Sequence, residues 1–300
     1  MRRVLITTAA LVLIGLCFVL LGSLHWGMSL AQFSTTSTTT QPAQPPKNSR
    51  EEEEKEITCS AHGPVVARFV KKIEPLFEKG SGIKIRCKDS KLPVLQQVLD
   101  KKVDFCCLMR HLTDVEKLRK LNETQIGWEA YALIVNKRNT CEALSQDDLL
   151  KIYTGKLTDW SDAGGPHKPV SPIVPDEGTD ARDELNRYIL KGATLGRNVK
   201  PSGSDYLTVE TVARSPHAIG IVSLHMVEQS EDVKIVKLDK IAPTDEDVAS
   251  RKYPLRRPIL FITLDKPTDD VKKFFTFCLT PTAQEQMAKC YSPVKLHRPK

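Results

Sequence analysis

The chain has 300 residues, of which 40% are hydrophobic and 27% charged, and its formal net charge is +7. This hydrophobic content supports one large domain or two modest ones with buried cores, and it excludes a wholly disordered chain. A nucleic-acid partner is also disfavoured, because aromatic residues make up only 6% of the chain and the lysines are scattered instead of forming a stripe.

The first predicted element is an uncharged apolar run near the N-terminus. Residues 4–24 read VLITTAALVLIGLCFVLLGSL and follow Arg2 and Arg3. A run of about 20 residues is long enough to cross a bilayer, and the two arginines hold its start in the cytoplasm. The sequence SLA at 29–31 also presents small residues to a signal peptidase. We therefore predict that residues 1–31 form a membrane anchor or a cleaved signal peptide, and that the rest of the chain is exported.

The next segment, residues 32–56, is predicted to be a disordered linker. It contains a Ser/Thr tract, then prolines, then the acidic run EEEEKE. Such a composition cannot bury a hydrophobic core. The folded part of the chain is therefore expected at residues 57–300.

From residue 57 onward, short apolar strands alternate with amphipathic helices. The strand EITCSA is followed by a segment in which Phe69, Ile73 and Phe77 recur at helical spacing. GIKIRC, KLPVLQQVLDKK and VDFCCLM continue the alternation, and VSPIV followed by DARDELNRYIL repeats it later in the chain. This order predicts an α/β fold with a mainly parallel sheet covered by helices.

Seven cysteines follow the apolar run, and export would place them in an oxidising compartment. Their spacing does not suit zinc, because no C-x-x-C pair occurs and the histidines are spread singly. Disulfides are therefore expected for some of them, and buried thiols for others. Cys278 and Cys290 flank the last helical segment, so we predict that these two pair first.

Three loops lead from a predicted strand into a predicted helix. They read SAHGP at 60–64, DSKLP at 89–93 and EGTDAR at 177–182. Ligands of open α/β folds gather at the carboxyl ends of strands, and helix starts offer N–H donors to oxyanions. Ser60, Ser90 and Thr179 are therefore candidates for an anion cup. The alternative is that each of them only caps its own helix.

Arg182 lies in the first turn of the third helix, where the helix dipole is already positive. Such a cation needs either a bound anion or a neighbouring carboxylate from Asp176, Glu177 or Asp180. Asp180 itself has two interpretations. It accepts a proton from a protonated oxyanion such as hydrogenphosphate, or it is an exposed residue stabilised by the dipole.

Several segments, taken in chain order, resemble one family. YTGKLTDWSDAGG at 153–165 is followed by EGTDAR, HAIGIVSL, YPLRRPILFITL and FFTFCLTPTAQEQMAKCYSPV. Together they are similar to the phosphate-binding branch of the bacterial type 2 periplasmic solute-binding proteins. The resemblance covers nearly all of residues 57–296. It implies two α/β lobes that clasp a ligand, with residues 57–136 and 216–300 in lobe one and residues 137–215 in lobe two.

The resemblance also implies a function. It predicts a protein without enzymatic activity or cofactor, which binds phosphate or a similar small oxyanion outside the cytoplasm. The membrane subunits of an ABC transporter would be its partners. The ligand would contact the anion cup, which is formed by Ser60, Ser90, Thr179, Asp180 and Arg182.

The chain departs from the family at several of these positions. The family's Gly-Ser-Gly-Thr-Arg run aligns with Gly178–Arg182, so the arginine is kept and a hydroxyl is lost. Cys106 and Cys107 stand where the family has small, hydroxyl-bearing residues. Arg110 matches a family arginine that either lines the cleft or ties two loops together. These departures keep open an alternative function, a membrane-anchored structural or signalling module with a degenerate cleft.

Catalytic signatures give no support to an enzyme. The chain contains no G-x-S-x-G, H-E-x-x-H or G-K-[ST] motif. We therefore predict a binding protein.

Overall fold

The computed structural model describes residues 55–61, 66–90 and 93–294. The predicted anchor or signal peptide at 1–31 lies outside these ranges, as does the predicted linker except for its last two residues. Within the described ranges, no helix combines the length and the apolar character that a membrane crossing requires.

The described strands follow one another along the whole folded part. They are β1 (Glu56–Ala61), β2 (Lys84–Asp89), β3 (Phe105–Leu108), β4 (Leu121–Asn136), β5 (Ala143–Leu144), β6 (Ser171–Pro175), β7 (Lys200–Ser202), β8 (Ala218–Ser223), β9 (Val233–Leu238), β10 (Arg256–Leu264) and β11 (Ser292–Pro293).

Helices separate most of these strands. They are α1 (Lys71–Ser81), α2 (Val94–Leu99), α3 (Asp114–Lys117), α4 (Gln146–Tyr153), α5 (Asp180–Glu184), α6 (Asp205–Arg214), α7 (Asp245–Ala249), α8 (Asp269–Cys278) and α9 (Pro281–Met287). Val66–Val70 precedes α1 and Leu185–Leu190 continues α5, both as π-helices, while Trp160–Ala163 and Leu224–Gln229 are 3₁₀ helices. The predicted α/β class is confirmed.

The strands form two hydrogen-bonded groups that share β4. In the first, β1 pairs in parallel with β2 and β3, and β10 runs antiparallel between β3 and β4. In the second, β6 pairs in parallel with β7 and β8, and β8 runs antiparallel to β4. The hydrogen-bonded order is β2-β1-β3-β10-β4-β8-β6-β7. We refer to these two groups of strands as the first and the second sheet.

β4 joins the two sheets because it is long enough to belong to both. Its residues up to Ala130 pair with β10, and those from Tyr131 pair with β8. The change of partner thus falls at Ala130–Tyr131, whereas the sequence placed the first boundary between lobes at residue 136. The polypeptide returns to the first sheet at Arg256, where β10 begins opposite Ala130.

Both faces of each sheet are buried against hydrophobic cores. Because successive side chains of a strand point to opposite faces, neighbouring residues belong to different cores. In the first sheet, Phe105 and Phe261 pack in one core while Cys106 and Ile262 pack in another. In the second sheet, Leu133 and Val135 face one core, and their neighbours Ala132 and Ile134 face the opposite one.

The disulfide prediction for Cys278 and Cys290 is wrong. Both thiols are free and buried, and the 7-residue helix α9 lies between them. A helix of that length spans about 10 Å, whereas a disulfide requires Cα atoms within about 7 Å. The structure instead joins Cys59 to Cys87, which lie opposite each other on the parallel strands β1 and β2 with Cα atoms 4.3 Å apart.

Candidate functional site

The candidate site lies at the carboxyl ends of strands from both sheets. Two polar contacts join the sheets there. Arg257, in β10, pairs with Asp180 at the start of α5. Arg68, in the π-helix before α1, meets His225 after β8, with Nη1 and Nδ1 3.2 Å apart. These two contacts bring the start of α5 and the segment after β8, both of the second sheet, against residues of the first sheet.

The two predicted serines lie beside each other in the first sheet. Ser60 is fully buried in β1, and its Oγ has no hydrogen-bond partner among the described residues. Ser90 follows β2, where its N–H donates to Ala61 O at 3.0 Å and its Oγ accepts from Gln97 Nε2 at 2.9 Å. The unpaired hydroxyl of Ser60 carries a desolvation cost that a ligand can offset.

Thr179 caps α5, as one of the two interpretations of the sequence expected. Its hydroxyl accepts from Arg182 N at 3.2 Å and donates to Asp176 O at 2.8 Å. The cap fixes where the first turn begins, and so it sets the positions of Asp180 and Arg182.

Arg182 folds back against its own loop. Its Nη1 donates to Pro175 O and its Nε to Asn186 Oδ1, both at 3.1 Å. Its Nη2 meets Glu177 Oε1 at 3.3 Å, and while the arginine side chain is 10% exposed, that of Glu177 is 88% exposed. Of the three carboxylates that the sequence offered to Arg182, Glu177 is the partner.

Asp180 is held by the other sheet. Its carboxylate pairs with Arg257 Nη1, and the side chains are 51% and 14% exposed, respectively. The structure therefore brings Thr179, Asp180 and Arg182 together at one helix start, with Asp180 already engaged by a cation.

Arg110 acts locally. Its guanidinium contacts both carboxylate oxygens of Glu116, at 2.7 and 2.9 Å, and donates to His111 O at 3.0 Å. It thereby ties the loop after β3 to α3, in agreement with the loop-tying interpretation.

The sequence missed a polar cluster at the point where β4 passes between the sheets. We name it the crossing network; it comprises Arg68, Glu129, Ser223 and His225. Glu129 is 4% exposed, and its carboxyl hydrogen-bonds the Ser223 hydroxyl. That hydroxyl also lies 2.6 Å from His225 Nδ1, and His225 contacts Arg68. The network thus connects the strand crossing to elements of both sheets.

Burial keeps Glu129 and His225 neutral. Desolvation raises the pKa of Glu129 to about 8, although the Ser223 hydrogen bond and the Arg68 charge act in the opposite direction. Desolvation, followed by the charges of Arg68 and Lys72, lowers the pKa of His225 to about 4. At pH 7 the network therefore contains a protonated carboxyl and an uncharged imidazole.

The proton positions follow from the donor inventory. A guanidinium can only donate, so His225 Nδ1 accepts and the ring proton lies on Nε2. That Nε2 is buried and has no partner among the described residues. The Ser223 hydroxyl donates to the Glu129 carboxyl oxygen, and this bond opposes the rise in the pKa of Glu129 that burial causes. The signal in the sequence was a single acidic residue inside the otherwise apolar strand WEAYALIVN.

The described residues contain no cluster of His, Cys, Asp and Glu that could hold a metal ion.

Comparison with known proteins identifies the family. A PBP superfamily domain model matches residues 60–282. The phosphate-binding protein PstS of Borreliella burgdorferi is 24% identical over 189 residues, which cover 59% of this chain and 67% of that protein. PstS of Staphylococcus haemolyticus is 26% identical over 215 residues, with 65% and 67% covered. The chain thus spans about two thirds of the length of these two relatives.

A solved structure from Vibrio cholerae, an ABC-type phosphate transport receptor, has a TM-score of 0.68 at 20% identity and covers 78% of this chain and 97% of its own. A putative phosphate ABC transporter substrate-binding protein from Clostridium perfringens has a TM-score of 0.65 at 24% identity, with 80% and 100% covered. The chain belongs to the PBP superfamily, and the relatives it resembles within that superfamily include PstS phosphate-binding proteins.

Proposed function

We propose that the folded domain binds phosphate or a similar small oxyanion outside the cytoplasm and presents it to the membrane subunits of an ABC transporter. The observation that carries this proposal is the contact between Arg182 and Glu177. A guanidinium that is almost buried directs Nη2 toward a carboxylate that is almost fully exposed. An oxygen of a ligand oxyanion can displace the Glu177 carboxylate and occupy its position beside Arg182 Nη2.

The hydrogen-bond capacity of Arg182 supports this exchange. A guanidinium has five N–H groups, and three of them have partners among the described residues. If a ligand replaces Glu177, the fork can contact two of its oxygens at once. The side-chain amide of Asn186 and the carbonyl of Pro175 hold the arginine in place, so little side-chain entropy is lost when the ligand binds.

The rest of the anion cup would complete the ligand's contacts. Ser60 offers from the first sheet a buried hydroxyl that has no partner among the described residues. Ser90 and Thr179 lie at the loop ends around the ligand, and Asp180 accepts the remaining proton of hydrogenphosphate, which sulfate lacks. Contacts from both sheets would favour a closed state, because a ligand shifts an equilibrium only by its differential affinity for the two states.

The location follows from the N-terminal segment. We propose that residues 4–24 either anchor the protein in the membrane or are removed with a signal peptide, and that residues 32–56 act as a spacer. The domain would lie in the periplasm or on the outer face of the cytoplasmic membrane. Protease added to intact spheroplasts should then degrade residues 57–300, and protection of that part would contradict export.

Calorimetric titration with phosphate tests the binding function. Wild-type protein should release or absorb heat with phosphate, and Arg182→Ala should weaken binding at least tenfold, because a charged hydrogen bond of roughly 1.5–3 kcal/mol is lost. Arg214→Ala is the matched control, since Arg214 is 78% exposed on α6 and pairs with Glu210. If the wild type gives no heat with millimolar phosphate or sulfate, the proposal of oxyanion binding fails. The alternative, a structural or signalling module with a degenerate cleft, then replaces it.

A further inference from the structure

Arg257, the partner of Asp180, lines a cavity of about 870 Å³ that the phosphate proposal does not use. Its wall comes from the loop after β3, the helix that begins with α5 and the segment leading into β10. Five of its lining residues are arginines: Arg110, Arg187, Arg251, Arg256 and Arg257. We name it the arginine cavity.

Three of these arginines have carboxylate partners. Arg110 pairs with Glu116, Arg187 with Glu184, and Arg257 with Asp180. Arg251 and Arg256 form no ion pair with any carboxylate in the part of the chain that the structure describes. Asp183 and Glu184 also line the cavity, so the positive charge that has no ion-pair partner among the described residues lies at Arg251 and Arg256.

Arg251 and Arg256 share one aromatic ring. Their guanidinium carbons lie 5.6 and 5.0 Å from the ring centre of Trp128, which is 5% exposed. Arg256 Nη1 donates to Tyr253 O at 2.7 Å, but its Nε is buried and has no partner among the described residues. Both guanidiniums thus lie against one ring, and one donor of Arg256 has no partner in the described part of the chain.

The electrostatics agree with this geometry. Burial and then the charges of Arg251 and Arg187 lower the pKa of Arg256. Grouped cations with an unsatisfied buried donor cost free energy, and an anion that contacts them offsets that cost. Cation–π contacts with Trp128 offset only part of it.

The donor type and the size of the cavity indicate the class of anion. Guanidinium forks match the oxygens of phosphate groups, and two separate forks suit two linked groups better than one. Small-molecule sites have volumes of about 300–1,000 Å³, so this cavity exceeds what a single phosphate ion requires. We propose that the arginine cavity binds a diphosphate group at Arg251 and Arg256, either as inorganic pyrophosphate or as part of a nucleotide.

The arginine cavity and the anion cup have no residue in common, because none of the cup residues lines the cavity. They are neighbours, since Arg257 of the cavity pairs with Asp180 of the cup. The proposal therefore stands whether or not the cup binds phosphate.

Titration of the full chain with pyrophosphate and, separately, with ADP tests the proposal. We expect saturable binding of pyrophosphate that Arg251→Glu weakens at least tenfold. Arg251 is exposed, so this substitution should leave the fold intact, and the thermal melting of each variant checks this. Arg256→Lys keeps the charge but removes the fork, and it should also weaken binding. Arg214→Glu on α6 is the matched charge reversal and should have little effect.

The outcomes separate the possibilities. Binding of ADP as tightly as pyrophosphate supports a nucleotide as the source of the diphosphate, and binding of pyrophosphate alone supports the inorganic ion. In both cases Arg182→Ala should leave diphosphate binding unchanged. The proposal is overturned if neither probe binds at millimolar concentration, if Arg251→Glu binds as tightly as wild type, or if Arg182→Ala abolishes diphosphate binding.

Discussion

Asp180, the first residue of α5, forms an ion pair with Arg257, the second residue of β10, and so joins the second sheet to the first across the candidate site. The residues are far apart in the chain, and the pair exists only because β4 and β10 bring the two sheets together. Its carboxylate is half exposed, so its role in ligand choice should exceed its role in stability.

We expect Asp180→Asn to lower the free energy of unfolding by no more than about 1 kcal/mol, as is usual for ion pairs in contact with solvent. The larger effect should be on selectivity. The amide cannot act as the carboxylate acceptor for hydrogenphosphate, so the ratio of phosphate to sulfate affinity should fall. Asp183→Asn, on the same helix, is the control. An unchanged ratio in Asp180→Asn would remove Asp180 from the cup.

Glu177 should compete with the ligand for Arg182. We therefore expect Glu177→Gln to strengthen phosphate binding several-fold, because a charged competitor for Nη2 becomes a neutral one. Glu285→Gln, on the exposed face of α9, makes the same change in net charge at another place. Titrations of both variants at two salt concentrations separate local competition from long-range charge. Equal gains in both variants would contradict the local mechanism.

The disulfide between Cys59 and Cys87 closes a loop with a sequence separation of 28. Reduction should lower the free energy of unfolding by roughly 2–4 kcal/mol, mainly because the unfolded chain gains freedom. Denaturant unfolding with and without reductant measures this difference. The Cys59→Ala/Cys87→Ala double variant should show no response to reductant. If wild type also shows none, the two cysteines are not bonded in the protein.

The fold was predictable because its signals are local. Alternating strand and helix patterns, caps such as Thr179, and motifs in family order all lie in contiguous segments. The contacts that shape the site are not local. Only the arrangement of the two sheets shows that Asp180 meets Arg257, and only the pairing of β1 with β2 shows why Cys59 finds Cys87.

Arg182 illustrates the same limit within a single loop. The sequence indicated that this cation needs a partner, and it named three carboxylates. Thr179 caps α5 and so sets the position of Arg182 in the first turn. From that position the guanidinium reaches Glu177. Glu129 carries no local motif, because its partner Ser223 is 94 residues away in the chain and meets it only through the pairing of β4 with β8.

The crossing network should make stability depend on pH through two opposing groups. The pKa of Glu129 is raised in the folded state from an ordinary 4.5 to about 8, so the folded protein binds the extra proton between these values. Its contribution to stability is complete below pH 4.5 and is lost as the pH rises to about 8. The pKa of His225 is lowered from 6.5 to about 4, so its contribution is present above pH 6.5 and is lost as the pH falls toward 4.

These two slopes have opposite signs where they overlap. Between about pH 4.5 and 6.5 they should largely cancel, and between about 6.5 and 8 only the loss from Glu129 remains. Glu129→Gln removes that loss, because an amide cannot ionise. The stability of this variant relative to wild type should therefore increase with pH, by at most about 1.4 kcal/mol per pH unit, up to about pH 8.

His225→Gln is the converse variant. It removes the opposing slope, so its stability relative to wild type should decrease as the pH rises from about 4 to 6.5 and stay constant above that. Denaturant unfolding of the three proteins at half-unit pH steps measures all of these curves. If Glu129→Gln runs parallel to wild type from pH 4.5 to 8, Glu129 is ionised in the folded protein, and the network would carry a negative charge beside Arg68.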